Sequence, residues 1–190
     1  MWIIFWFYFI ILKEKIMEKE IKILVVSDIH GKKSIADKIL KNEDYDYAIS
    51  CGDHLLDKDY MISNFDYCVD GNNDIYFDKY CLNKPTLDFT LADYKFHVEH
   101  GHMIGDYWSL RTPNVLFDET KNIDCDFLIC GHSHFPIYYK DVKTHKILLN
   151  PGSPSLPRWN SKPSYAIITI KNEKKYENVE VIFKEVNEKS

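Results

Sequence analysis

The chain is poor in arginine. Of the 24 basic residues among its 190, only Arg111 and Arg158 carry guanidinium groups, so any forked grip on an anion rests on those two. Basic charge is in the minority as well: 29 acidic residues leave a net charge of −5. That balance argues against the broad positive surface selected by nucleic acid or an anionic membrane. Five cysteines (51, 68, 81, 125 and 130) show no CxxC spacing and stand mostly in apolar runs. An odd, unpatterned set reads as reduced, buried thiols in a cytoplasmic protein, not as disulfides or a zinc knuckle.

Nor does the opening apolar run, WIIFWFYFIIL at 2–12, reach the ~20 residues that cross a bilayer as a helix. It lacks the basic start and the A-x-A site of a signal peptide, the first alanine being Ala36. Three readings of residues 1–16 stay open: a short hydrophobic anchor, an extra buried segment, or sequence ahead of a true start at Met17. The third is favoured because MEKEIKILVVSD is a natural beginning for a first strand. Residues 17–190 then form a single domain, long enough for a sizeable core.

What is present is a series of short apolar runs that end abruptly in polar residues. IKILVVS (21–27) stops at Asp28, DYAISC (46–51) at Gly52-Asp53, FDYCV (65–69) at a Gly-Asn-Asn-Asp turn, and DFLIC (126–130) at Gly131-His132. Their length and β-branched or aromatic content predict buried strands. Between the first two, SIADKILKN (34–42) has helical spacing with Ser34 as N-cap, so the unit is βαβ and the sheet partly parallel. Three antiparallel pairs follow: 86–91 with 94–100 turning at Ala92-Asp93, 136–142 with 146–150, and 164–171 with 177–186. Two packed sheets with helices outside satisfy this order.

Residues capable of chemistry gather at the strand ends. SDIHG supplies Asp28 and His30, CGDH Asp53 and His54, DGNND Asn72, VEHGH His100 and His102, and CGHSHFP His132 and His134. Six of the eight histidines fall in these loops; His97 and His145 do not. Each motif alone is what an ordinary turn or surface pair would show, but five strands aiming Asp, Asn and His at one rim would converge these groups. Oxygen and imidazole donors without thiolate suit manganese, iron, zinc or nickel. Two Asp, one Asn and four of these six His make seven donors, which exceed one tetrahedral ion and suit two ions roughly 3.5–4 Å apart that share a carboxylate.

The order D-x-H, GD, GN, HG, GHxH resembles the calcineurin-like metallophosphoesterase superfamily, and the late LNPGSPSLPR resembles its small bacterial and archaeal YfcE-type phosphodiesterases. The likeness runs from about Ile21 to Val186. It implies an α/β four-layer sandwich: two mixed β-sheets face to face, flanked by helices. It implies a first metal held by Asp28, His30, Asp53 and His134, and a second held by Asp53, Asn72, His100 and His132, with Asp53 bridging. Manganese leads the metals it suggests. The implied reaction is hydrolysis of a small phosphodiester by in-line attack of a metal-bridging hydroxide.

There is one departure from the family pattern. Many relatives keep a histidine after the motif's Asn, whereas this chain has Asn73, which cannot shuttle a proton near neutral pH. His54 and His102 are the stand-in acids; Arg158, with Asn73, is the candidate substrate contact. Asp74 is read either as a histidine-orienting partner or as a plain turn residue. NPGS (150–153) is read as a structural turn. A homodimer is possible, and no nucleic acid is expected as partner. The alternative function is a binding module like the eukaryotic retromer subunit, which shares the fold and scaffolds partners.

Overall fold

A computed structural model of the chain describes residues 20–171 and 174–186; the hydrophobic run and Met17 lie outside them. Strand β1 (Glu20–Val26) leads through helix α1 (Lys33–Asn42) to β2 (Tyr47–Ser50), and helix α2 (Lys58–Asn64) leads on to β3 (Tyr67–Cys68). A short helix α3 (Asn72–Tyr76) precedes the hairpin of β4 (Thr86–Leu91) and β5 (Tyr94–Glu99). Helix α4 (Pro113–Glu119), β6 (Phe127–Ile129), β7 (Pro136–Lys140) and β8 (Ile147–Pro151) follow, then β9 (Ser164–Lys171) and β10 (Val179–Glu185).

Two five-stranded sheets result, in the orders β10-β9-β1-β2-β3 and β4-β5-β6-β8-β7. Both are mixed. β1, β2 and β3 run parallel, with β9 antiparallel to β1 and β10 antiparallel to β9. In the second sheet β5, β6 and β8 run parallel, edged by antiparallel β4 and β7. The expected βαβ unit and all three antiparallel pairs are present.

Alternation along the strands makes the layers. Ile23 and Val25 of β1 face the inter-sheet core with Phe96, Val98, Phe127 and Ile129, whereas Leu24 and Val26 face outward to Ala36 and Ile39 of α1 and Met61 of α2. On the far side, Leu116 of α4 packs on Leu128 and Leu148. Burial on both faces explains why the strands read as continuous apolar runs. Aromatic rings link and line the sheets: Tyr67 of the first sheet stacks on Phe89 of the second at 3.7 Å, and within the second Phe89 stacks on Phe96 at 5.0 Å and Phe96 on Phe127 at 4.4 Å.

Two local expectations are corrected. Helix α1 starts one residue before Ser34, with Lys32 at the N-cap and no side-chain cap bond. The Gly-Asn-Asn-Asp stretch is no left-handed turn: Gly71 is extended at φ −91° and Asn72 opens a helix. Asp74 Oδ2 accepts the Gly71 N–H at 2.8 Å, half of a capping box, which explains why an acidic residue at the third helical position favours a helix start here.

Because Phe96 is 1% exposed and stacked on both sides, Phe96→Ala should destabilise the fold by about 3–5 kcal/mol. Urea unfolding followed by circular dichroism checks this.

Candidate metal centre

The parallel strands β1, β2, β3, β5 and β6 deliver their carboxyl ends to one rim, where an α/β sheet presents its ligands. The chain leaves three of these strands, β1, β2 and β6, by abrupt left-handed turns. Asp28 (φ 55°), His30 (φ 48°), Asp53 (φ 50°), His132 (φ 63°) and His134 (φ 54°) all adopt positive φ, at about 1–2 kcal/mol each. Such strain persists only where surrounding contacts over-determine it.

The close approaches at the rim demand glycine. A Cβ on Gly131 would stand 1.8 Å from Ser27 Oγ, and one on Gly71 would stand 2.1 Å from Asp53 Oδ1. β6 is therefore pressed against the end of β1, and α3 against the end of β2.

The side chains meet as follows. His134 Nε2 lies 3.2 Å from Asp28 Oδ1 and 3.3 Å from His30 Nε2. His30 Nε2 is 3.8 Å from both Asp28 Oδ1 and Asp53 Oδ2, and His100 Nε2 is 3.4 Å from Asp53 Oδ2. His132 Nδ1 is 3.2 Å from His100 Nε2. Asp53 thus stands between His30 and His100, and Asp28 reaches both of the carboxylate–imidazole groups that could hold an ion at this rim: Asp28, His30 and His134, and Asp28, Asp53 and His100.

Backbone carbonyls fix two of the rings. His100 Nδ1–H donates to the Cys51 carbonyl at 2.7 Å and His134 Nδ1–H to the Leu156 carbonyl at 2.5 Å, which turns each Nε2 into the cluster. The NPGS loop buttresses the same turns. Ser153 Oγ and Ser155 Oγ donate to the Asp28 carbonyl at 2.7 and 3.0 Å, while Asn150 Nδ2 donates to the Gly131 carbonyl at 2.6 Å. Asn150 and Ser153 are organisers that motif reading passes over, although their place in NPGS after a strand was the available signal.

Electrostatics follow from burial among unlike charges. Burial alone would raise the Asp53 carboxyl, but the hydrogen bond and charge of His100, with two Asn73 donors, hold it well below the usual range. Burial opposes charge on His100 too, yet Asp53 and Asp28 push it up to about 9. His132 is brought down to about 4 by burial and by the charge on His100.

Among solved structures, the fold is shared by a predicted phosphoesterase from Streptococcus pneumoniae (TM-score 0.65, 21% identity, covering 87% of this chain and 99% of that one). It is shared also by the phosphoesterase YfcE of Escherichia coli (TM-score 0.58, 18% identity, 88% and 100%) and by a Vps29 from Entamoeba histolytica solved with Zn2+ (TM-score 0.55, 18% identity, 86% and 98%). In sequence, a probable metallophosphoesterase of Mycoplasma pneumoniae is 32% identical over 78% of this chain and 89% of its own length. The probable metallophosphoesterase YsnB of Bacillus subtilis is 33% identical over 80% and 85%. The calcineurin-like phosphoesterase superfamily domain matches residues 21–173. The chain belongs to that superfamily.

The donors of this calcineurin-like domain fit divalent metal. Asp28 Oδ1 and Asn72 Oδ1 are buried with no hydrogen-bond partner, which is costly unless a cation takes their lone pairs. A third group, His54 with Asp70 and Asp74, also has metal-like spacing, but there the oxygens are already used. Asp70 accepts the Leu82 and Lys84 N–H groups, and Asp74 accepts those of Leu55 and Gly71. That group is a structural knot.

Of the remaining candidates, His54 is fully buried, 3.4 Å from Asp74 Oδ1, with Nδ1 accepting the Leu56 N–H. His102 stays at the rim, its ring centroid 5.6 Å from that of His100 and 6.1 Å from that of His132. Asn73 is engaged with Asp53, its backbone N–H on Oδ1 and its Nδ2 on Oδ2. The Arg158 backbone N–H reaches the His134 carbonyl at 3.4 Å.

In the metal-free protein the His100 proton must leave before Nε2 can act as a ligand. Since that proton is held until about pH 9, raising pH removes a competitor. The apparent Mn2+ affinity should climb about tenfold per pH unit between pH 6 and 8. Calorimetry in buffers of different ionisation enthalpy should register the released proton.

Proposed function

We propose that the chain is a dinuclear metal-dependent phosphodiesterase acting on a small phosphodiester in the cytoplasm. The observation that carries this reading is the convergence of Asp28, His30, Asp53, His100, His132 and His134 on one rim, joined by the unpartnered Asn72 Oδ1. Asp28, His30, Asp53 and His134 would hold one ion, and Asp53, Asn72, His100 and His132 the other, with manganese first among the candidates. Two such ions would supply Lewis acidity for water activation and phosphoryl transfer.

The chain's own residues do the rest. The carbonyls of Cys51 and Leu156 keep His100 and His134 in the ligating tautomer. Asn73 aligns the Asp53 carboxylate through two donors and has no proton to give to a leaving group. Of the two stand-in acids, His102 is the better placed, being at the rim, although burial and the neighbouring charge on His100 lower its pKa and so oppose the protonated form an acid needs. His54 has its Nδ1 committed inside the structural knot. Free, largely buried thiols agree with a reducing compartment, and among the described residues no helix is long and apolar enough to cross a membrane.

A scaffolding role is the second reading, because Vps29 proteins are among the structural neighbours. The complete donor set favours the enzyme.

With Mn2+, the protein should hydrolyse bis(p-nitrophenyl) phosphate. Loss of partners that merely support ligands costs 10–100-fold in such sites, so Asp53→Ala or His132→Ala should leave less than ~1% of the rate. Full turnover in either variant sinks the assignment, and a protein that binds no metal and turns over nothing supports the scaffold. Without a strong general acid, diesters with poor leaving groups should be slower by the ~10²–10⁴-fold that such an acid contributes.

A further inference from the structure

Both arginines of the chain stand beside the candidate metal centre, and each lies over an aromatic ring. The Arg158 guanidinium is 4.8 Å from the centroid of Tyr107, and the Arg111 guanidinium is 3.7 Å from that of Trp159. Tyr107 ties the group together. Its ring stacks on His132 at 4.7 Å with a 14° tilt, and its carbonyl accepts the Arg111 Nε–H at 3.1 Å. The segment carrying Arg158 and Trp159 is latched to His134 from two sides, through the Leu156 carbonyl and the Arg158 N–H.

Three features separate this rim from ordinary surface. Among the described residues, no carboxylate lies within ion-pair distance of either guanidinium, and the Arg111 charge is felt only at longer range by Asp106, so the forked ends can still meet an anion. Trp159 is half exposed, at 52%, so part of its indole is open to a ligand. It also stands at φ 59°, followed by Asn160 at φ 60°, a costly backbone for a bulky residue. The fold therefore holds a large flat ring out beside two guanidiniums that lack a carboxylate partner, next to the candidate ligands His132 and His134.

We propose that Tyr107, Arg111, Arg158 and Trp159 form the substrate-selecting rim, and that the preferred substrate is a phosphodiester with a planar aromatic ring on its non-leaving side. The ring lies against Trp159, and the guanidiniums take the phosphate oxygens that the metal ions leave free. This rests on the phosphodiesterase reading, and names the class of ester that site takes. Nucleotide esters and simple aryl esters share the chemistry.

The test compares methyl, phenyl and thymidine-5′ p-nitrophenyl phosphates, which share one leaving group. Stacking on an aromatic side chain has a worth corresponding to roughly 5–150-fold in binding. The two ring-bearing esters should have kcat/KM higher than the methyl ester by that factor, residing in KM. Trp159→Ala should erase the preference, Trp159→Phe should restore part of it, and Arg111→Ala should raise KM for all three. A preference for thymidine over phenyl assigns the rim to nucleotides, and equal values assign it to aryl esters generally. Equal rates for all three esters, or a preference that survives Trp159→Ala, overturns the proposal.

Equilibrium dialysis separates this from failure of the enzymatic reading. Wild-type protein should retain AMP more tightly than ribose 5-phosphate, and Trp159→Ala should not, whether or not any diester turns over. Equal retention by wild type overturns the rim. So does a dimer in sedimentation that Trp159→Ala converts to monomer, since the ring would then face a second copy.

Discussion

Two buried carboxylates, Asp28 and Asp53, hold the architecture to its purpose. Each ends a central parallel strand of the first sheet, and each meets imidazoles delivered by the second sheet. A carboxylate with no exposure is sustained only by compensating charge and hydrogen bonds. His132 N–H and the charge shared with His100 supply part of this, and an unpartnered oxygen on Asp28 remains. Cations would complete the seam between the sheets. This accounts for the left-handed backbone at five ligand residues, for the glycines at 71 and 131, and for the serines that grip the Asp28 carbonyl.

Much of this was legible beforehand, for physical reasons that differ from place to place. Strands such as β1 and β9 announce themselves because their apolar stretches, 23–26 and 166–168, are buried on both faces. The Ala92-Asp93 hairpin is marked by residues that both adopt positive φ. The convergence of the candidate donors was readable because they sit immediately after strands, where parallel topology brings distant segments together. Helices α2 and α4 were not foreseen. Each buries a single residue, Met61 or Leu116, so no periodic stripe marks them, and packing against the sheets makes them.

Composition misled at Gly71-Asn72-Asn73-Asp74. These four residues are what turns are made of, yet Asp74 accepts backbone donors from Leu55 and Gly71 and starts a helix instead. The consequence reaches the site, since a helical start puts the Asn73 N–H and side chain on the two oxygens of Asp53. Likewise His54 and His102 are indistinguishable as neighbours of a motif, and only burial separates them. The arginine–aromatic rim was half visible: Arg158 stood out by scarcity, but nothing local links Tyr107 and Arg111 to Trp159, some 50 residues away.

Electron paramagnetic resonance during Mn2+ titration of the metal-free protein tests the central claim most directly. Two ions sharing the Asp53 carboxylate at roughly 3.5–4 Å should give an exchange-coupled signal that saturates at two equivalents, and Asp53→Asn should uncouple it. Saturation at one equivalent with an isolated six-line spectrum would contradict the account.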